Sequence, residues 1–241
     1  MKSAFIRTLW GIYDHQGRKL YKRRTKIDND ILLVKQNKFQ TPFRTYVFGE
    51  DNFKYLEDEG FDVKLVDKRP IVWDMDTQAF RHKLEAFKCG LEDYNEIVFL
   101  DWDCIQIKET PENFWETLRK KEKIQAILRM YKRKKLGWRT EDQRKIPCAS
   151  FVYINGKQTS LDLIKAWEDI GCTWSEERAI AKYTDDLSGG WKNVDYYLSR
   201  FEPDFFVLMP EQGFIREKLT WKNVCFQHFN HHHVSSMLKK I

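Results

Sequence analysis

The chain has 241 residues and a formal net charge of +6, from 42 Lys and Arg against 36 Asp and Glu. That length buries a full core in one domain, and the mild basic excess suits anionic ligands while falling far short of a chain that coats nucleic acid. No run is long and apolar enough to cross a bilayer, and the opening Met1-Lys2-Ser3-Ala4-Phe5 shows no secretory pattern. Five scattered cysteines (Cys89, Cys104, Cys148, Cys172, Cys225) form no C-x-x-C pair. They predict reduced thiols in a cytoplasm rather than disulfides or a zinc knuckle.

Ala4–Trp10 reads as the first strand. Ile27, Ile31 and Val34 repeat at helical spacing and predict a helix over Ile27–Lys38, closed by the turn at Thr41-Pro42. Arg44–Phe48 is the next strand, ending at Gly49. A short helix over Asn52–Glu59 is stopped by Gly60, and the strand Val63–Val66 follows. Phe80, Leu84, Phe87, Leu91 and Tyr94 predict a longer helix over Thr77–Tyr94, with Asp76 as its N-cap. Ile97-Val98-Phe99-Leu100 is then a fully apolar strand, the pattern of a strand covered on both faces.

The second half predicts a helix from Pro111 to about Lys121, a strand over Ile124–Arg129, a basic run over Arg129–Lys135 and a polar loop over 136–146. A strand over Cys148–Ile154 ends at the Asn155-Gly156 turn. Helices are expected over Ser160–Asp169, Ser175–Tyr183 and Val194–Phe201, and late strands over Asp204–Leu208 and Asn223–Phe229. Strands alternating with helices predict an α/β domain with a mixed, mainly parallel central sheet flanked by helices. In such sheets ligands sit beyond the carboxyl ends of the strands.

Three Asp-x-Asp triplets occur, and context separates them. Asp28-Asn29-Asp30 falls at an expected helix start, and Asp74-Met75-Asp76 ends in an N-cap, so both have ordinary capping explanations. Asp101-Trp102-Asp103 follows the buried strand and emerges where a ligand belongs. Two neighbouring carboxylates repel unless a cation joins them, and hard oxygen ligands suit Mg²⁺ or Mn²⁺, whose coordination a diphosphate completes.

The stretch Arg81-His82-Lys83-Leu84-Glu85-Ala86-Phe87-Lys88-Cys89-Gly90-Leu91, with Tyr94-Asn95-Glu96-Ile97-Val98-Phe99-Leu100-Asp101-Trp102-Asp103, resembles the GT-A glycosyltransferases that use nucleotide-diphosphate sugars. In that superfamily a Lys-bearing helix precedes a strand ending in D-x-D. Phe5-Ile6-Arg7-Thr8-Leu9-Trp10-Gly11 resembles its first strand, and the likeness covers about residues 4–103 well and the rest loosely. The resemblance implies one GT-A-like domain over 1–241, with residues 1–108 binding the nucleotide sugar and 109–241 facing the acceptor. It implies that Thr8, Leu9 and Trp10 lie on the base side, that Lys83 is a phosphate-side or Asp-positioning residue, and that Trp102 belongs to the donor site. Asp101 would contact ribose or metal, and Asp103 would ligate the metal directly, with Mn²⁺ or Mg²⁺ as cofactor and a UDP-sugar as the favoured donor. Many GT-A enzymes place a metal-ligating His on a late strand. His228 matches that place better than His231, His232 and His233, which read as a polar tail.

Transfer that inverts the anomeric centre needs a carboxylate to deprotonate the acceptor hydroxyl. Trp174-Ser175-Glu176-Glu177-Arg178 resembles the family's acidic pair at a helix start, and nominates Glu177 or Glu176, with Asp185 and Asp186 next. The same Ser and acids also make an ordinary helix N-terminus. The expected partners are the nucleotide sugar and a glycan or other hydroxyl acceptor, with no nucleic acid. The basic run gives a surface for peripheral membrane contact. A metal nuclease, reading Asp101 with Gln106-Ile107-Lys108, and a non-catalytic nucleotide-sugar or glycan binder are the alternatives.

Overall fold

The computed structural model describes residues 1–10, 13–14, 21–68, 72–73, 81–121, 123–130, 145–171, 176–188, 207–208 and 225–228. The strands are β1 (Ser3–Leu9), β2 (Tyr13–Asp14), β3 (Phe43–Phe48), β4 (Val63–Asp67), β5 (Val72–Trp73), β6 (Glu96–Leu100), β7 (Cys104–Gln106), β8 (Ile124–Met130), β9 (Lys145–Asn155), β10 (Val207–Leu208) and β11 (Phe226–His228). The helices are α1 (Tyr21–Gln36), α2 (Glu50–Asp58), α3 (Arg81–Asp93), α4 (Phe114–Arg119), α5 (Lys157–Asp169) and α6 (Glu176–Ser188).

Six strands form the central sheet in the order β4-β3-β1-β6-β9-β8. β4, β3, β1 and β6 are parallel, whereas β9 runs antiparallel to β6 and to β8. The sheet is therefore mixed and mainly parallel, as expected. A three-stranded sheet, β10-β11-β7, lies beside it, and β2 pairs with β5. In that small sheet β11 is antiparallel to β7, with His228 opposite Cys104.

The apolar run of β6 is explained by burial on both faces. Ile97 and Phe99 join one cluster with Leu84 and Phe87 of α3, Leu163 and Trp167 of α5, and Ile180 of α6. Val98 and Leu100 point the other way, to Phe114 and Leu118 of α4 and Phe226 of β11. A third cluster packs Ile27, Ile31 and Val34 of α1 and Leu56 of α2 against Leu9 and Val47. Gly90 lets α3 come close to the sheet: a Cβ there would stand 3.0 Å from Ile6 Cδ1 and 3.4 Å from Ile97.

Several element bounds differ from expectation for physical reasons. α1 begins six residues early, at Tyr21 rather than Ile27. Its opening is rich in Lys and Arg, good helix formers that carry no apolar period. Asp28 and Asp30 therefore lie inside α1 and not at its start. α6 extends to Ser188, past the expected Tyr183, and α5 begins at Lys157, directly after Gly156 with its φ of 88°. α4 is shorter than expected, Phe114–Arg119, entered from Asn113. The three-residue β7 is too short to leave a period in the sequence. β9 begins at Lys145, so Lys145 and Ile146 of the expected loop 136–146, and Pro147 before the expected strand, are strand, paired with Met130, Arg129 and Leu128 of β8. The expected helix over 194–201, the rest of that loop and the second D-x-D at 74–76 lie outside the described residues, as do Thr77–Phe80 of the expected α3.

Candidate active site

β1, β3, β4 and β6 all deliver their carboxyl ends to one edge of the sheet, and α3, running back along the sheet, brings its first turn to the same edge. Asp101 leaves β6 at this edge. Its backbone N–H donates to Ser150 O of β9 at 2.9 Å, and the Cys104 N–H returns to Asp101 O at 2.9 Å, which closes a tight turn. The guanidinium of Arg7 fastens that turn from below. It donates to Asp101 O and, at 3.0 Å, to Cys104 O. Arg7 is fully buried, with its charge over the rings of Phe43 and Trp102 at 4.8 and 5.3 Å. Burial lowers its pKa to about 10, against the raising influence of Cys104, Asp101 and Asp103. It remains protonated at neutral pH. Nothing in the sequence pattern set Arg7 apart, although an Arg inside an otherwise buried strand is a signal, since a buried charge needs a purpose.

Trp102 completes the scaffold. Its indole N–H donates to Thr8 O at 2.9 Å, and its ring packs edge-on against Phe43 and Phe61. The side chain of Trp102 is thereby engaged with β1 and the core. Thr8 donates its hydroxyl to Tyr46 O at 2.8 Å, and Leu9 is buried in the α1–α2 cluster. Trp10, at the end of β1, lies against His82 with ring centroids 5.5 Å apart, and Phe48 meets the same imidazole at 4.7 Å. Desolvation first, and then Arg81, lower the His82 pKa to about 4 against the opposing pull of Asp67. His82 is accordingly neutral at pH 7.

One cluster joins residues far apart in sequence. Lys83 Nζ lies 2.9 Å from Asp101 Oδ1 and 3.1 Å from Oδ2, and 2.7 Å from Glu176 Oε1. Burial works against the ammonium charge, but Asp101 and Glu176 outweigh it and push the Lys83 pKa above its ordinary value. Glu176 side-chain exposure is only 4%, and its second oxygen, Oε2, meets no hydrogen-bond donor among the described residues. The Glu177 carboxylate takes a different direction, accepting from Ala149 N of β9 at 3.3 Å, one residue from the Ser150 that holds Asp101.

Asp103 and His228 meet as a second pair. β7 follows Asp103 directly and β11 ends at His228, so their antiparallel pairing brings the two side chains together. His228 Nε2 is 3.3 Å from Asp103 Oδ2 and 3.1 Å from Ser150 Oγ, and both residues are buried. A carboxylate oxygen beside an imidazole nitrogen is a donor set that Mn²⁺ accepts. Asp101 is turned to Lys83, and no group of three His, Cys, Asp or Glu is arranged around a common point among the described residues. As a donor set the pair fits a hard divalent cation only if most of that ion's ligands come from outside the described residues.

The other candidates separate clearly. Gln106 Oε1 accepts from Thr41 N at 2.7 Å and its Nε2 donates to Lys108 O at 3.1 Å. Both ends of that amide serve the fold, which removes the Gln from the nuclease pattern. Asp28 accepts from Tyr55 OH at 2.6 Å and is structural. Asp185 and Asp186 lie further along α6. Their side chains and His231–His233 lie outside the described residues, as does most of the basic run.

No family model and no curated protein matches the sequence. Solved structures do. A glycosyltransferase involved in the glycosylation of the major capsid of PBCV-1 superposes with a TM-score of 0.55 at 9% identity, covering 99% of this chain and 100% of that one. The galactosyltransferase LgtC, in complex with donor and acceptor sugar analogues, gives 0.51 at 12% identity over 98% of this chain and 95% of that one. An active-site mutant of LgtC gives 0.50 at 12% identity with the same coverage. At such identities the likeness concerns the fold. A mixed, mainly parallel sheet between helix layers, matched along nearly the whole chain, is the GT-A fold of these glycosyltransferases.

Proposed function

We propose that the chain is a metal-dependent glycosyltransferase that uses a nucleotide-diphosphate sugar, with a UDP-sugar as donor and a glycan or other hydroxyl compound as acceptor. The observation that supports it most is the convergence of Asp101, Asp103, Lys83, Glu176 and His228 at the carboxyl edge of a GT-A sheet. Five residues from α3, the β6–β7 turn, α6 and β11 assemble at the place where α/β sheets bind ligands.

Asp103 and His228 would hold Mn²⁺ or Mg²⁺, and the bound ion would supply Lewis-acid neutralisation of the diphosphate leaving group. Lys83, buried and cationic, adds a fixed positive charge beside it, an arrangement that acts strongly because it needs no reorganisation. Glu176 holds the Lys83 ammonium in place and is itself ion-paired. Glu177 is therefore the better base. In the inverting reaction the acceptor oxygen bonds to the anomeric carbon, the bond from that carbon to the diphosphate oxygen breaks, and the acceptor proton passes to Glu177. Trp10 and His82 form the wall on the nucleotide side.

A hydrolysis and transfer screen over UDP-, GDP- and CMP-sugars, with and without Mn²⁺, tests the proposal. The expected result is Mn²⁺-dependent release of UDP. Absence of release from every nucleotide sugar would refute it.

A further inference from the structure

A groove of about 600 Å³ opens at the opposite end of the sheet, where β1 and β3 begin. Four half-buried rings line it: Phe43, Phe61, Tyr94 and Trp115. Between them stand Gln40 and Arg44. The groove lies at the Ser3–Phe5 end of β1, away from Lys83 and His228, although its rings Phe43 and Phe61 back onto Trp102.

The charges of the groove are balanced within the protein. Arg44 Nε lies 3.0 and 3.2 Å from the two oxygens of Asp62, and that pairing raises the Arg44 pKa. Lys35 pairs with Glu59 at 2.8 Å. A charged ligand would have to compete with these ion pairs for Arg44, Asp62 and Lys35. A lipid tail or other purely apolar ligand would be opposed by Arg44, Asp62 and Gln40. What fits is a neutral molecule with apolar faces for the rings and hydroxyls for the amide and the ion pair. That is the chemistry of a sugar chain, since sites of this kind combine apolar and aromatic walls with a few placed polar groups.

We infer that this groove is a second carbohydrate-binding site, which holds a distal part of a glycan acceptor away from the reacting end. The inference rests on the reading that the acceptor is a glycan. It gives a use to four rings gathered half-buried in one groove. An acceptor that spans both ends gains effective concentration at the catalytic edge, whereas a short acceptor does not.

Binding of the tetrasaccharides cellotetraose, mannotetraose and β-1,4-galactotetraose is measured by saturation-transfer NMR and calorimetry on the full chain. Three variants join the wild type. Thr41→Trp puts bulk into the groove while keeping the backbone N–H that Gln106 accepts. Trp115→Leu removes a ring, and Asp103→Ala disables the catalytic edge. The wild type should bind at least one tetrasaccharide, Thr41→Trp should weaken it at least tenfold, and Asp103→Ala should leave it unchanged. Trp115 also packs on Phe5 and Phe114, so loss of fold in that variant leaves Thr41→Trp to decide. Failure of the wild type to bind any of the three, binding indifferent to Thr41→Trp, or binding lost in Asp103→Ala would each overturn the inference. Failure of the functional reading is told apart by the donor screen, which does not involve the groove.

Discussion

The two ends of the central sheet both bury charge, and they do so in different ways. At the amino end Glu96 and Asp93 both have their complements. Glu96, fully buried, accepts from Ser3, from Arg119 Nε at 3.0 and 3.2 Å and from Tyr153 OH at 2.8 Å. Asp93 accepts from Tyr46 OH at 2.8 Å and Lys64 Nζ at 2.8 Å. At the carboxyl end Asp101 and Glu176 share the ammonium of Lys83 and Asp103 faces the imidazole of His228, while Arg7 directs its hydrogen bonds to backbone carbonyls. The first arrangement is complete in itself. The second gathers three carboxylates around one ammonium and one imidazole among the described residues and leaves a buried Glu176 oxygen without a donor there, which is how a site that receives a cation or a ligand differs from one that only holds the fold together.

The comparison is broken most decisively by removing one charge from each end. Lys83→Met leaves Glu176 buried without its partner, and Glu96→Ala leaves Arg119 and Tyr153 without theirs. Breaking a buried pair costs about 3–5 kcal/mol, so Lys83→Met should show a large loss in chemical denaturation, and Glu96→Ala a smaller one, because the Arg119 it leaves behind is 39% exposed. Their turnover should differ. The Glu96→Ala protein, assayed where it is still folded, should keep near wild-type activity per folded molecule, and Lys83→Met should lose roughly a hundredfold or more. Equal activity in the two would erase the distinction between the ends.

The acid pair on α6 gives the next effect. Glu177→Gln should lower turnover by roughly a hundredfold or more, as removal of a positioned base does, while UDP and Mn²⁺ still bind. Glu176→Gln should instead lower stability and donor binding together, because it unfastens Lys83. If Glu177→Gln keeps full turnover, the transfer retains configuration or takes its base from Asp185 or Asp186.

A smaller effect concerns His228. Its alanine variant should weaken Mn²⁺-dependent UDP binding by about ten- to a hundredfold, the range found when a group supporting a metal site is removed. The triple change at His231, His232 and His233 should leave binding unchanged. Calorimetry on both variants checks the ranking.

The smallest effect is on pH. The His82 pKa falls from 6.5 unfolded to about 4 folded, so the folded state resists protonation. Stability from this residue is complete above pH 6.5 and is lost as the pH falls towards 4, by up to about 3 kcal/mol for a shift of this size. His82→Phe should flatten the urea midpoint between pH 6.5 and 4. A midpoint that falls just as steeply in the variant would assign the acid sensitivity elsewhere.

How much of this was legible in the sequence varied with range. The Ile97–Leu100 run, followed at once by two carboxylates, predicted both a doubly covered strand and its exit at the ligand edge, because those signals are local. Lys83 beside Asp101 is one of the two roles that the family resemblance implied for it. The contact between Lys83 and Glu176 spans over ninety residues and leaves no local trace, so the sequence could read Glu176 only as a helix-start acid or a base. Arg7 and Trp102 also escaped a structural assignment. Each acts through backbone carbonyls across the chain, Trp102 on Thr8 and Arg7 on the turn itself, and a hydrogen bond to a carbonyl depends on no residue type in the partner. The three-residue β7, which brings Asp103 to His228, is too short for any periodicity.

The central claim is that the carboxyl edge binds a cation that Asp103 helps to hold, and calorimetric titration of UDP into the wild type and Asp103→Ala, each with and without Mn²⁺, tests it most directly. The account predicts that Mn²⁺ strengthens UDP binding to the wild type at least tenfold and has no effect on a folded Asp103→Ala protein. Mn²⁺-dependent binding that survives undiminished in Asp103→Ala would contradict it.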